Sequence, residues 1–145
     1  MSDSAAPWER DKPIIYRAIG VVENDFDAPA KPEEIAARES RIVLDPALTA
    51  GLRGLESGQQ IMVVFHFHLH SQRHSLHDAS GYALCQHPRG DRSRPQRGVF
   101  ALRSPHRPNP IGVTVADLLA IDCNVLRVRG LDAINGTPVL DLKAV

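Results

Sequence analysis

Cysteine is nearly missing from this 145-residue chain: Cys85 and Cys123 are the only two, and they form no CxxC pair. A disulfide framework is therefore not expected, and the two read as reduced thiols of a cytoplasmic protein. The first dozen residues, Met1 to Lys12, are polar and carry no apolar leader. No apolar run approaches the roughly 20 residues of a membrane span, so no membrane partner is expected. Aromatics make up 5% of the chain, too few for a long stacking surface. Net charge is zero, so no global field draws in a polyanion. The glycine fingerprint GxGxxG is absent, which removes the usual Rossmann mark of a dinucleotide or cofactor domain. There is no internal repeat.

What is present is unevenly distributed. Six arginines (89, 92, 94, 97, 103 and 107) lie between Arg89 and Arg107 against one acid, Asp91, whereas seven acids crowd residues 23–45. A polyanion would meet the arginine-rich segment, even though the usual fate of a charge run is a solvated loop. At 43% hydrophobic residues, one domain with one core is expected. Residues 1–13 read as a flexible arm and 14–145 as the domain.

The apolar pattern has the period of strands. Ile61, Val63, Phe65, Phe67 and Leu69 fall on one face of a strand, and Met62, Val64, His66, His68 and His70 on the other. Residues 14–22, 41–44 and 98–102 are further strand candidates. A hairpin is expected over 112–129 with its turn at Asp122-Cys123, and a closing strand over 139–142 after the Asn135-Gly136 turn. Asp45-Pro46 reads as a helix cap followed by a first-turn proline, opening a short helix to about Leu52. Residues 32–40 allow a short helix or a loop. Residues 71–97 show little periodicity and read as a long loop that becomes ordered against a partner. Many short strands with one or two short helices give a mainly β fold, most simply a small single-sheet barrel.

Two features carry chemistry. Ser104 to Pro110 holds three prolines in seven residues, a stiff backbone that would hold Arg103, His106, Arg107 and Asn109 without an ordering cost. On spacing alone a rigid connector is an equal reading. His66, His68 and His70 share a strand face at about 6.5–7 Å spacing, so two imidazoles could converge on a metal; a polar, wet strand face is the commoner outcome. Asp132 and Asp141 flank the Asn135-Gly136 turn, and a turn aspartate usually bonds its own backbone.

The run Arg97-Gly-Val-Phe-Ala-Leu-Arg-Ser-Pro-His-Arg-Pro-Asn-Pro-Ile-Gly112, with Gly130-Leu-Asp-Ala-Ile-Asn-Gly-Thr-Pro-Val-Leu-Asp-Leu-Lys143, resembles the TsaA-like (YaeB/TrmO) family. The opening Ile19-Gly-Val-Val22 and the strand Ile61 to His68 agree, and the likeness covers most of residues 14–143. After the first strand the family often has Pro-Arg-Gln, where this chain reads Asn24-Asp-Phe-Asp-Ala-Pro-Ala-Lys-Pro32. The resemblance implies a homodimeric β-barrel that binds S-adenosylmethionine. It further implies transfer of a methyl group to N6 of the threonylcarbamoyl-modified adenosine at tRNA position 37. Carried over by motif, the cofactor would touch Phe67, His68, Leu69, Arg103, Val113, Ala133, Ile134, Asn135 and Gly136. Beyond the motif carry-over, an amine acceptor needs its proton taken, and His68 and Asp132 are the candidate catalytic residues for that work. Arg89, Arg92, Arg94, His106, Arg107 and Asn109 would hold tRNA or another RNA. A metal barrel on His66, His68 and His70, and a non-catalytic cofactor-binding module, are the rival readings.

Overall fold

The computed structural model describes residues 12–28, 30–68 and 84–145. Six strands close into one antiparallel barrel: β1 (Gly20–Glu23), β2 (Glu39–Leu44), β3 (Gln60–His66), β6 (Ile111–Asp122), β7 (Val125–Arg129) and β8 (Pro138–Ala144). Their order around the barrel is β1-β2-β7-β6-β3-β8. Two further strands, β4 (Cys85–Gln86) and β5 (Arg97–Gly98), form a separate ribbon.

Period-2 alternation decides which side chains fill the barrel. Ile61, Val63 and Phe65 of β3 point inward and are buried, and Ile42, Leu118, Leu126, Val128 and Val139 meet them from the other strands. Met62, Val64 and His66 lie on the outer face, as the alternation requires. β6 runs for 12 residues and serves two neighbours: residues 111–117 pair with β3 and residues 117–122 with β7. Gly20 permits the tightest approach in the barrel. A Cβ there would lie 2.5 Å from the Val43 carbonyl oxygen, so any side chain would push β1 off β2.

The hairpin turn falls at Cys123-Asn124, with Cys123 at φ 55°. Asn124 donates through Nδ2 to the Leu44 carbonyl (2.6 Å), tying that end of the barrel. The Asp45 cap is confirmed, its carboxylate accepting from the Ala47 N–H (3.0 Å), but the helix it opens, Pro46–Leu52, is 3₁₀. A one-turn helix occupies Pro32–Ile35.

Two strand expectations are corrected. Of residues 14–22, only Gly20 onward is strand. The Ile19 N–H still donates to the Val139 carbonyl, but the Ile19 carbonyl turns to the Asp45 N–H, so the ladder with β8 stops there. Ile14, Ile15 and Tyr16 are left exposed. Of residues 98–102, only Gly98 is strand. Val99 drops into the interior with its N–H on the Leu84 carbonyl (2.8 Å), and Val99–Ala101 winds into a 3₁₀ turn that leaves Phe100 79% exposed. The loop expected over 71–97 is a β4–β5 ribbon in its described part. Its remainder, like most of the 1–13 arm, lies outside the described residues.

Candidate functional site

At one end of the barrel, four pieces of chain distant in sequence meet. They are the end of β3, the start of β6, the turn before β8 and the segment after β1. The strand face that the histidines were expected to share ends at His66. Phe67 leaves the strand with its N–H on the Pro110 carbonyl (2.8 Å), and its ring meets Phe65 edge to face at 5.3 Å between centroids. His68 then lies over the Ala133–Gly136 turn. Its Nε2 lies 3.8 Å from the point a Cβ on Gly136 would occupy, and Gly136 is at φ 85°.

The Ala133–Gly136 turn is wired to β1. The Asn135 N–H donates to the Phe26 carbonyl and the Gly136 N–H to the Val22 carbonyl, both at 2.8 Å. The Ile134 carbonyl accepts from the Thr137 hydroxyl (2.7 Å). These main-chain groups hold the shape of the turn, so a ligand would meet what that wiring leaves facing outward.

His66 and His68 are close enough to interact. Burial first, and the neighbouring His68 second, push the His66 imidazole below its ordinary pKa. A histidine depressed in the fold gains stability relative to the unfolded chain only while both states are neutral. That stability is complete above about pH 6.5 and is lost as pH falls through that value toward the folded pKa. Thermal melts from pH 8 to pH 5 should therefore show a fall that His66→Gln reduces. Parallel curves for the two proteins would refute the assignment. No group of three metal-ligating side chains exists among the described residues. His70 lies outside them, as does Leu69.

Asp132 stands at the rim of the same turn, exposed on one side. The barrel wall withdraws enough water from its carboxyl to raise its pKa, and the guanidinium charges of Arg89 and Arg38 oppose that rise. Arg89, at φ 54° in the 3₁₀ turn Pro88–Gly90, is thus brought toward the barrel end. Arg38 lies over the Phe26 ring at 3.8 Å.

The proline loop is held internally. Arg107 donates through Nη1 to the Leu102 and Ser104 carbonyls (3.1 and 3.2 Å). The His106 N–H donates to Ser104 Oγ (3.1 Å), and the His106 carbonyl accepts from Gln86 Nε2 (2.7 Å). Arg107 therefore staples the loop, a role that spacing alone does not separate from ligand contact. His87 Nδ1–H donates to the Arg94 carbonyl (2.8 Å), which shapes the ribbon that carries the arginines. Arg92, Arg94, Arg103 and Asn109 are exposed. Val113 is not part of the barrel-end cluster: it sits on the outer face of β6 opposite Val64. Asn24, Ser40, Arg38 and Thr137, which complete the wiring, carried no sequence signal beyond being polar residues next to strands.

The family model of the tRNA-methyltransferase O N-terminal domain matches residues 20–145. The chain belongs to this family. A probable S-adenosyl-L-methionine-binding protein of Methanothermobacter thermautotrophicus is 40% identical over 138 residues, 92% of this chain and 90% of that protein. A human tRNA (adenine(37)-N6)-methyltransferase is 40% identical over 92 residues, 63% of this chain but 19% of its own length. The crystal structure of TrmO from Pseudomonas aeruginosa superposes with a TM-score of 0.66 at 28% identity, covering 92% of this chain and 56% of that one. The TsaA-like/TrmO resemblance and the closed barrel are thereby borne out.

Proposed function

We propose that this TrmO-family barrel is an S-adenosylmethionine-dependent tRNA methyltransferase acting on N6 of adenosine 37, with the threonylcarbamoyl-modified adenosine as acceptor. The observation that carries the reading is the convergence of Phe67 and His68 with the Ala133–Gly136 turn, two motifs some 65 residues apart in the sequence. The cradle also fits a cofactor on its own terms. Glycine at 136 keeps the floor beneath His68 free of a side chain, and Asp132 at the rim, with Arg89 and Arg38 acting on its carboxyl, brings charges of both signs to that end of the barrel. Phe67, His68, Arg103 and the Ala133–Gly136 turn would hold it.

The bound cofactor supplies an electrophilic methyl group on a sulfonium that is its own leaving group. The chain's residues have the remaining work. An exocyclic nitrogen is a poor nucleophile until it is aimed and its proton is accepted. Burial at the rim raises the Asp132 pKa and makes its carboxyl our candidate to take that proton, with His68, which lies over the Gly136 floor, as the second. Arg92 and Arg94 face solvent from the ribbon, where the phosphate backbone of tRNA would reach them, Arg89 acts on the Asp132 carboxyl, and His106 and Asn109 would add contacts from the proline loop.

A pair of chains completes the unit. Met62, Val64, Ile111, Val113 and Val115 form an outward apolar stripe across β3 and β6, with the last three each about 40% exposed. Burying that stripe against a second copy makes a homodimer and brings Val113 into an interface. Cys85 and Cys123 are both exposed and free, which suits the reducing cytoplasm where tRNA is modified. No helix among the described residues is long and apolar enough to cross a membrane.

The deciding experiment incubates the protein and labelled cofactor with tRNA from a host lacking the modification, followed by nucleoside mass spectrometry. Label on adenosine 37 at N6 is expected; cofactor binding with no transfer to any tRNA would instead mark a binding module. Arg92→Ala and Arg94→Ala should each weaken tRNA binding and lower its salt slope by about one. Unchanged slopes would remove these arginines from the interface.

A further inference from the structure

Asn24 sits where the barrel's first strand, its second strand and the Ala133–Gly136 turn meet. Its side-chain amide uses both faces. Nδ2 donates to Ser40 Oγ (3.0 Å) on β2 and to the Ala133 carbonyl (2.9 Å). Oδ1 accepts from the Phe26 N–H (3.0 Å), and the Asn24 main-chain N–H donates to Asn135 Oδ1 (3.1 Å). Ser40 is buried, so the amide has a fixed point on the barrel wall from which to hold the turn.

We infer that Asn24 is a positioning residue for cofactor binding: it sets the Ala133–Gly136 turn at the height and tilt at which the turn faces His68. The inference rests on the proposed cofactor role of that turn. Three observations lead to it. The bonds reach the turn at both Ala133 and Asn135, so they fix its orientation as well as its distance. They bring residues 111 positions apart together, which no local turn requirement demands. They also lie beside the turn, while the barrel core is closed by apolar packing that Asn24 does not enter. This is the segment where the family often has Pro-Arg-Gln; here an asparagine and the Phe26 backbone tie the turn down.

The chemistry separates the amide's two ends. Asn24→Asp keeps the acceptor for the Phe26 N–H but removes both donors, and it sets a carboxylate against the Ala133 carbonyl. Asn24→Ala removes all three side-chain bonds. A structural control is Asn124→Ala, which deletes a side-chain to carbonyl bond of the same type at the hairpin end, to Leu44.

The test is isothermal calorimetry with S-adenosylmethionine, together with thermal melts and methyl-transfer kinetics, on the full chain. Wild type should bind. Asn24→Asp and Asn24→Ala should bind on the order of tenfold more weakly, the loss of about one or two net hydrogen bonds. The weakening should appear as a raised KM for the cofactor with kcat at saturation nearly unchanged. Asn124→Ala should lose melting temperature without losing affinity. Unchanged affinity in both Asn24 variants while wild type binds would overturn the role of Asn24 alone. Equal loss of affinity in Asn124→Ala would overturn it too, by reducing the effect to general destabilisation. Failure of wild type itself to bind would overturn the cofactor reading and this inference with it.

Discussion

Asp132→Asn is expected to lower kcat for methyl transfer by roughly 10²- to 10⁴-fold, the range lost when a positioned proton acceptor is removed. The fold should be untouched. Burial is the leading reason the Asp132 carboxyl resists ionising, with Arg89 and Arg38 working against it. A carboxyl whose pKa is raised by folding contributes stability that is present below its unfolded value and lost as pH rises through its folded value. Asparagine cannot ionise, so the variant escapes that loss. Relative to wild type, it should melt at the same or a higher temperature as pH rises from 4 to 8. The combination of lost turnover and retained or improved stability marks a catalytic group rather than a structural one. Arg89→Ala supplies a second reading of the same carboxyl. Removing a cation that favours the carboxylate moves its pKa further up, so the acidic limb of the pH–rate profile should shift to higher pH. Full turnover in Asp132→Asn would end its assignment as the base, and an unmoved acidic limb in Arg89→Ala would detach the arginine from it.

Much of the barrel was legible because one face of each strand is buried. In β3 the alternation of Ile61, Val63 and Phe65 against Met62, Val64 and His66 could only be satisfied by a half-buried strand. The cap at Asp45 and the turn at Asn135-Gly136 were legible because their backbone chemistry is local. What failed was set by distant partners. Residues 14–19 have strand propensity, but β8 has no rung for them once Ile19 turns its carbonyl to Asp45. The alternation at 98–102 is produced instead by a 3₁₀ turn, with Val99 buried and Phe100 exposed. The three-histidine face assumed that β3 runs past His66. The Phe67 bond to Pro110 ends it, and His68 goes to the Gly136 turn instead. The site itself was legible only through the family's motifs, because spacing alone could not tell a ligand-holding Arg107 from one that staples its own loop. Asn24 was invisible for the same reason: its bonds span 109 and 111 positions.

Gly112→Ala is expected to destabilise the barrel by about 1–3 kcal/mol, the usual penalty for forcing a methyl group into a packed interior. The melting temperature should fall by roughly 3–10 °C for a domain of this size. A Cβ at 112 would stand 2.6 Å from Cε2 and Cζ of Phe65 and 2.7 Å from Cζ of Phe67, where carbon atoms settle at about 3.5–4 Å. The two rings are not equally free to yield. Phe65 is 3% exposed and closed in by the core, so its part of the clash stays as strain, whereas Phe67 is only partly buried and is the ring that can move. It is the residue just before His68, and its backbone is fastened to Pro110, two residues before Gly112. Its displacement therefore carries the imidazole off the Gly136 floor, and cofactor affinity should fall together with stability. Shortening the displaced ring tests the route. Phe67→Leu alone loses packing, but in the double variant with Gly112→Ala it removes the Phe67 part of the clash and leaves the Phe65 part, so the two penalties should sum to less than their separate values. Gly51→Ala, with nothing within 4 Å of the added Cβ and no positive φ, is the control and should melt within about a degree of wild type. Simple additivity of Gly112→Ala and Phe67→Leu would place the strain elsewhere. A Gly112→Ala protein as stable as wild type would show that glycine at the end of the Asn-Pro-Ile-Gly run is not needed for packing against the aromatic pair.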